Sequence, residues 1–498
     1  MYGQKTMQKH ETGRWLQLGA GVLLSKDDRG CRRMDGPQEI TDARSGVDLR
    51  LATTRPRSDL LAGAIIFAVW LVTRAALACV YSPETAPDSG TYLELARQIG
   101  QLDFSDYIGQ RTPGYPLLLM AVGSRFTMIW FLQACLSMAA SLLLFCTVRG
   151  NGGAWGLAIG IALAYLLLFN TLFYEAAVIT ETLSAFLLVL TSYLFLRAVQ
   201  RGVTLRSSVG IGLVVAALVL TRPQYIFMVP LLGLMLCCAR GRQRITQAVI
   251  FLVVASLPIG GWMAFNKQHI GHFSLTSLLG YNLSNHTGAF MEKAADEHAL
   301  FRDIYLKYRD RKMQQSGSHP MTIFSAKQEL RQASGLGEVE LSARFQRISV
   351  ELIARYPELY LWSVAKAWAS FWAVPRSEQQ EVLNSPAVKR WLDGIGKVEH
   401  VLLRLLNVVF LLSSLLMLFC ALRLRRSGFG EFVAPAFMAT VVLATSVVQA
   451  LAEYGENPRY FIPSQPLVIA GTALALLAFV HLFRGPGDVR RSVGGDSV

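Results

Sequence analysis

The stretch Ala86–Pro116 holds the residues most able to do chemistry. It reads APDSGTYLELARQIG, then a polar run, then RTPGYP. It sets Asp88, Tyr92, Arg111 and Tyr115 close together beside apolar segments. A carboxylate so placed can take a proton as a general base, and a guanidinium matches phosphoryl oxygens bidentately. Asp88 has a plainer alternative as a helix N-cap, accepting a backbone N–H for about 1 kcal/mol. Counting from Asp88, the residues Tyr92, Leu95, Ala96 and Ile99 recur at helical spacing, so they form one apolar stripe. Such a helix suits the bilayer surface rather than a crossing. Pro113 and Pro116 then stiffen the entry to the next apolar run, and Gly114 permits a tight turn.

The elements that must position these residues are membrane spans. The chain has 498 residues, of which 52% are hydrophobic and 16% charged, with a mean hydropathy of +0.37. That composition excludes a soluble globular protein and predicts an all-α polytopic membrane protein. Runs long enough to cross lie near 60–80, 127–148, 154–173, 177–198, 207–221, 224–239, 247–265, 401–422, 433–451 and 461–483. The run 114–124 is too short and reads as re-entrant or interfacial. Residues 1–58 read as a cytoplasmic disordered tail or an over-extended start, since Met34 could equally begin the protein. No signal peptide is read ahead of the first span.

The net charge of +14 does not imply nucleic acid, because the basic residues punctuate the spans instead of forming a patch. Arg55 and Arg57 place the N-terminus inside. Alternation then puts Arg149, the Arg197/Arg201/Arg206 group, Arg240/Arg242/Arg244, Arg423/Arg425/Arg426 and Arg484/Arg490/Arg491 on the same cytoplasmic side. The complement is a first outer loop (81–126), Phe173–Ala176, Arg222–Gln224, a long loop (266–400) and Ala452–Tyr460. These outer segments carry Asp88, Arg111, Glu175, Arg222, Glu453, Glu456 and Arg459. Charges near the apolar region cost roughly 2.5–3.5 kcal/mol each, so they face a cavity or a partner.

The loop 266–400 is expected to form a small helical extracytoplasmic domain. Its parts are a charged helix over Glu292–Lys312, a disordered join near Ser316–Pro320, and helices near 338–354 and 357–373. The last is aromatic-rich and reads as an interfacial helix, either an anchor or a lipid-binding face. The domains are thus 59–265, an N-terminal transmembrane catalytic module; 266–400; 401–483, the C-terminal helices; and 484–498, a cytoplasmic tail. No Walker loop, GxGxxG, HExxH or Ser-His-Asp set occurs. His269 and His272 lack a third metal ligand, and the seven cysteines form no CxxC pair. No domain could hold a nucleotide sugar, so an activated donor for chemistry outside the cell would come dissolved in the membrane. Glu181 reads as an interhelical hydrogen-bonding residue, with Glu175 the better second carboxylate. Arg222 and Arg459 read either as partners of nearby glutamates or as ligands of a phosphate-bearing donor.

Taken in order, PDSGTYLELA (87–96), RTPGYPLLL (111–119), Tyr174-Glu175 with TETL (180–183), TRPQY (221–225), WMAFN (262–266), GYNL (280–283) and NPRYFIP (457–463) form a set. The chain with this set resembles the GT-C membrane glycosyltransferases that use lipid-phosphate sugars. The resemblance is to bacterial relatives of protein O-mannosyltransferases and of the lipid A aminoarabinose transferase, and covers roughly residues 60–470. It implies a bundle of about ten transmembrane helices, with interfacial helices 88–99 and 113–123 framing an active site in the first outer loop. It implies Asp88 as the catalytic acidic residue. Where many relatives carry an acidic pair, Asp88 is followed here by Ser89, so neither a second carboxylate nor a metal is expected at that position.

The expected protein is a multi-pass glycosyltransferase of a bacterial inner membrane, both termini cytoplasmic, moving a sugar from polyprenyl phosphate to an extracytoplasmic protein, lipid or glycan. Asp88 would act as base, with Glu175 the second catalytic carboxylate. Arg111, Tyr115, Arg222, Arg459 and Tyr460 would bind donor phosphate or substrate, and the sugar would invert. No cofactor is required, a divalent metal is compatible with the scheme, and membrane lipids but no nucleic acid are partners. The rival readings are a polytopic transporter or lipid flippase, and a non-catalytic envelope scaffold. Transporters commonly show inverted repeats and interrupted helices at the midplane; no convincing internal repeat is read here, and the charged residues gather at one face instead of the midplane.

Overall fold

In hydrocarbon every backbone N–H and C=O must be paired within the segment, so long apolar runs become helices. The computed structural model describes residues 56–83, 85–239, 241–375, 386–423 and 432–483. The expectations for residues 1–55 and 484–498, and for Arg240, Arg425 and Arg426, lie outside them. The described residues are helical and include no β-strand. Among the described residues seven helices are long and apolar enough to cross a membrane, or eight if one bent pair counts as a span, fewer than the ten runs expected, and the chain is a multi-pass helical membrane protein.

The first half contains α1 (Pro56–Val80), α2 (Ser89–Gln101), α3 (Gly114–Ala121), α4 (Phe126–Gly150), α5 (Trp155–Leu167) and α6 (Phe169–Ala176). It continues with α7 (Glu181–Arg201), α8 (Leu205–Thr221), α9 (Met228–Cys238) and α10 (Arg244–Ile270). Helix α1 shows how a span is read: Ala62, Ile66 and Trp70 are buried at every fourth position, while Leu60, Phe67 and Leu71 remain exposed. The exposed face suits lipid, and Trp70 Nε1 donates to the Ala134 carbonyl of α4 at 2.8 Å. Helix α4 packs on α5 and α7, and α8 packs on α7 and α10. A capping box between Thr204 and Ser207 starts α8.

Three boundaries differ from the sequence expectation. The run 154–173 is not one helix: it bends by 47° between α5 and α6. The Glu399 carboxylate caps the freed start of α6, accepting the Phe169 N–H at 3.0 Å. The stretch Phe173–Ala176 is therefore the end of a helix, not a loop. Beyond residue 266, α10 continues to Ile270. On the C-terminal side, α16 (Pro386–Arg423) starts well before residue 401. Its 38 residues span roughly 57 Å, far more than the hydrocarbon core needs.

Between these lies a helical unit with its own core. It contains α11 (Leu279–Thr287), α12 (Ala299–Ser316), α13 (Thr322–Ser334), α14 (Glu338–Arg355) and α15 (Pro357–Phe371). Phe301, Tyr305, Ile323, Leu330, Phe345 and Leu352 meet in its centre. The join near Ser316–Pro320 is ordered: Gly317 takes a left-handed turn at φ 66°, and Lys312 Nζ donates to the Pro320 carbonyl at 2.5 Å. Helix α13, not foreseen in the sequence, follows directly. The chain ends in α17 (Val433–Ala452), the short α18 (Asn457–Phe461) and α19 (Gln465–Phe483), with α17 and α16 packed on α19.

The helical unit meets the α17–α18 link through aromatic rings. His286 stacks on Tyr454 at 5.9 Å, and His319 meets the same ring edge-on at 5.6 Å. Burial pushes both imidazoles from 6.5 down to about 4. The unfolded chain therefore binds these protons at a higher pH than the folded one, and the stability held above pH 6.5 falls as pH drops from 6.5 towards 4. Thermal unfolding in nanodiscs should show that fall, and the double variant His286→Gln, His319→Gln should flatten it.

Candidate active site

The basic loops and the candidate site residues occupy opposite ends of the bundle. Helix α7 runs from Glu181 to Arg201, and α8 returns from Leu205 to Arg222. At the first end, five ionised side chains from five separate segments form a string of alternating sign. Its order is Arg111, Asp88, Arg459, Glu181, Arg222.

Asp88 stands at the N-cap position of α2 but makes no side-chain cap. Its two oxygens instead accept from Arg111 Nη2 at 2.7 Å and Arg459 Nη1 at 2.9 Å. The plainer capping role is thereby replaced by an ion-pair role. Burial alone would raise the Asp88 carboxyl, yet Arg111 and Arg459 together outweigh it and hold it below its ordinary value. Arg111 is fixed by more than charge. Its Nε donates to Thr91 Oγ1 at 2.8 Å, and its guanidinium lies 4.5 Å from the Tyr92 ring centroid. The apolar stripe of α2 is therefore also the platform for Arg111, with Tyr92, Leu95 and Ala96 buried and Ile99 half-buried.

Gly114 lets this segment approach the end of α8. A Cβ there would lie 2.6 Å from Thr221 Oγ1 and 2.7 Å from the Leu220 backbone. The approach brings Arg111 and Arg222 to the same end of the bundle.

Arg222 follows α8 in extended conformation. It donates through Nε to Thr180 Oγ1 at 2.7 Å and through Nη2 to Glu181 Oε1 at 2.6 Å. Tyr460 lies under its guanidinium at 5.0 Å. Glu181 is fully buried at the first position of α7, where the helix dipole favours negative charge. Its Oε1 also accepts from Arg459 Nε at 2.5 Å. Arg459, on α18, completes the string and pairs sideways with Glu456 at 2.9 Å. Three guanidiniums thus face three carboxylates, so their formal charges balance. Arg222 Nη1 and Glu181 Oε2 stay buried without a protein partner, unusual for polar atoms in a folded core. Behind them, burial and then Glu456 push the Glu453 carboxyl up to about 7.

The structure brings Asp88, Arg111, Arg222, Arg459 and Tyr460 together. It does not bring Glu175 to them. Glu175 lies at the end of α6 and is fully buried, its carboxylate gripped by Arg74 of α1 at 2.5 and 3.0 Å and accepting from Ser137 of α4. This closed pair joins three helices and leaves the carboxylate no route to a substrate. Tyr115 is likewise a support. It is fully buried, edge-on to Tyr92 at 5.4 Å, and donates to Gln133 Oε1 at 3.2 Å. Sequence reasoning placed Glu181 among ordinary helix contacts; its nearness to Thr180, before a run of apolar residues, was the available signal.

His269 is occupied in packing: it stacks on Phe265 at 3.9 Å. Among the described residues, Glu297, His298 and Glu351 are close enough to share a metal ion, but they belong to the loop unit, and His298 already bonds Glu351 at 2.9 Å. A surface hollow lined by Ala343, Gln346, Arg347, Val350 and Glu351 lies along α14 and contains no member of the charge string. No family model matches the chain, and no curated protein matches it.

The assignment of Glu175 to structure has a direct test. Removing one partner of a buried pair leaves an uncompensated charge, at roughly 3–5 kcal/mol, whereas replacing both by apolar groups is often neutral. Glu175→Ala should therefore lower thermal stability steeply, and Arg74→Met with Glu175→Leu should restore most of it.

Proposed function

We propose that the protein is an integral-membrane glycosyltransferase that moves a sugar from a polyprenyl-phosphate donor to an extracytoplasmic acceptor, with inversion. The observation that carries this reading is Asp88 bridging Arg111 and Arg459 at the accessible edge of the charge string. The arrangement places a proton acceptor beside two guanidiniums suited to phosphoryl oxygens. The ordered motifs resembling the GT-C transferases supply the substrate class.

In this scheme the acceptor O–H or N–H attacks the anomeric carbon of the donor. Its proton passes to the Asp88 carboxylate as the new bond to carbon forms. The bond from carbon to the phosphate oxygen breaks, and its electron pair leaves with the lipid phosphate. Arg111 and Arg459 offset the charge growing there, the kind of preorganised stabilisation that dominates many transfer reactions. Glu181 and Thr180 position Arg222 and Arg459, Tyr92 and Tyr460 lie against the Arg111 and Arg222 guanidiniums, and Tyr115 braces Tyr92. Single displacement without a covalent intermediate inverts the carbon. The basic loops at the opposite end favour a cytoplasmic placement for that end, and hence extracytoplasmic chemistry.

The test uses purified protein in nanodiscs, radiolabelled polyprenyl-phosphate sugars and an acceptor extract. Wild type should consume one donor class, and Asp88→Asn at matched folded amounts should be slower by about 10²–10⁴-fold. Equal turnover by both proteins would remove Asp88 from the chemistry. If no donor were consumed, the transporter or flippase reading would take precedence.

A further inference from the structure

Asp88 presents a conflict inside its own site. A carboxylate held by two guanidiniums is a poor proton acceptor, because both ion pairs favour its charged form. The guanidiniums that should receive a phosphate are, at the same time, already occupied by Asp88. Both difficulties disappear if one event resolves them.

We infer that Asp88 holds the seat of the donor phosphate between Arg111 and Arg459, and that a lipid-borne phosphate takes that seat and releases the carboxylate for catalysis. This rests on the function proposed above, and goes further by naming the pair that binds phosphate and coupling that binding to base release.

Three observations single out this pair. First, the string grades from sealed to open. The side chains of Glu181 and Arg222 are 0% and 6% exposed, whereas Arg459, Arg111 and Asp88 are 17%, 19% and 30% exposed. Only the Asp88 end offers an anion a way in. Second, Asp88 uses one oxygen for each arginine, so its carboxylate already displays the two-point geometry that two phosphoryl oxygens would reproduce. Third, both arginines are anchored without it. Arg111 keeps Thr91 and the Tyr92 ring, and Arg459 keeps Glu181 and Glu456. Asp88 can therefore leave while the two guanidiniums stay in place.

The released carboxylate also has somewhere to go. It makes no cap to α2, whose Ser89 and Thr91 N–H groups already donate to the Ala86 and Asp88 carbonyls, so rotation would turn it to water at the accessible edge, where its side chain is already 30% exposed. Neutral donors there favour the carboxylate less than two cations do, so its basicity rises once a phosphate is bound.

Occupation of the seat by Asp88 lowers apparent phosphate affinity by the fraction of time the seat is free. The measurement is binding of farnesyl phosphate, and separately of inorganic phosphate, to full-length protein in zwitterionic nanodiscs. Asp88→Asn should bind farnesyl phosphate more tightly than wild type, by about tenfold or more, with the smaller ligand shifting the same way at weaker affinity. Unchanged or weaker binding by folded Asp88→Asn overturns the inference and leaves Asp88 as a clamp. A gain confined to inorganic phosphate overturns the lipid source. If the variant does not fold, wild type still decides. Adding farnesyl phosphate should shift one aspartate carboxylate band in the infrared difference spectrum, and no carboxylate change overturns the exchange. Tighter binding with no sugar donor ever consumed would keep the phosphate seat and sink the transferase, whereas donor turnover without tighter binding would do the reverse.

Discussion

The Glu181 carboxylate, shared by Arg222 and Arg459, is the contact on which the functional end of this bundle depends. A fully buried charge persists only if paired and hydrogen-bonded, since desolvation costs several kcal/mol per ion. One oxygen of Glu181 meets two guanidiniums, and this forces three elements into register: the start of α7, the end of α8 and the short α18. It also decides what Arg459 can do next. With Nε committed to Glu181, its Nη1 is left to reach Asp88 and Glu456. The placement of the outer carboxylate follows from the pairing of the inner one.

The same string separates rigidity from exchange. Its inner members are sealed and lie among helices, where a wrong pairing has no water to fall back on. Its outer members rest on the amphipathic α2, whose polar edge stays accessible. Aromatic rings do related work along its length. Tyr92 and Tyr460 sit under guanidiniums, a contact that holds a cation without neutralising it. Tyr115 supports Tyr92 from the buried side. Direction is thus imposed on the arginines by rings and on the carboxylates by arginines.

Much of this was legible in the chain itself, for identifiable reasons. Long apolar runs revealed most of the spans because lipid admits few backbone solutions, although the run 154–173 is bent, the run from 177 becomes helical only at Glu181, and the runs 207–221 and 224–239 form only short helices. The stripe of α2 and the shortness of α3 were visible in local spacing. The choice between Glu175 and Glu181 was not. Both precede or end apolar helices, six positions apart in sequence, and nothing local reveals which way each side chain turns. Their partners lie far along the chain, Arg74 being 101 positions from Glu175 and Arg459 278 positions from Glu181. The bend after Leu167 was hidden for the same reason, since the Glu399 carboxylate that caps α6 is 230 residues away. Helix α13 was missed because its short amphipathic face is defined by α11 and α12, with which it packs.

Arg459 lies 371 positions after Asp88, and that separation gives the site an order of birth. A ribosome delivers Asp88, Arg111, Glu181 and Arg222 early, within helices that enter the membrane long before α18 exists. Until α18 arrives, Glu181 has one cation instead of two and Asp88 rests on Arg111 alone. Chains interrupted before that point carry two separate ion pairs, Arg111 with Asp88 and Arg222 with Glu181, with nothing joining them. The last member of the string to be synthesised, Arg459, is therefore the one that joins its two halves.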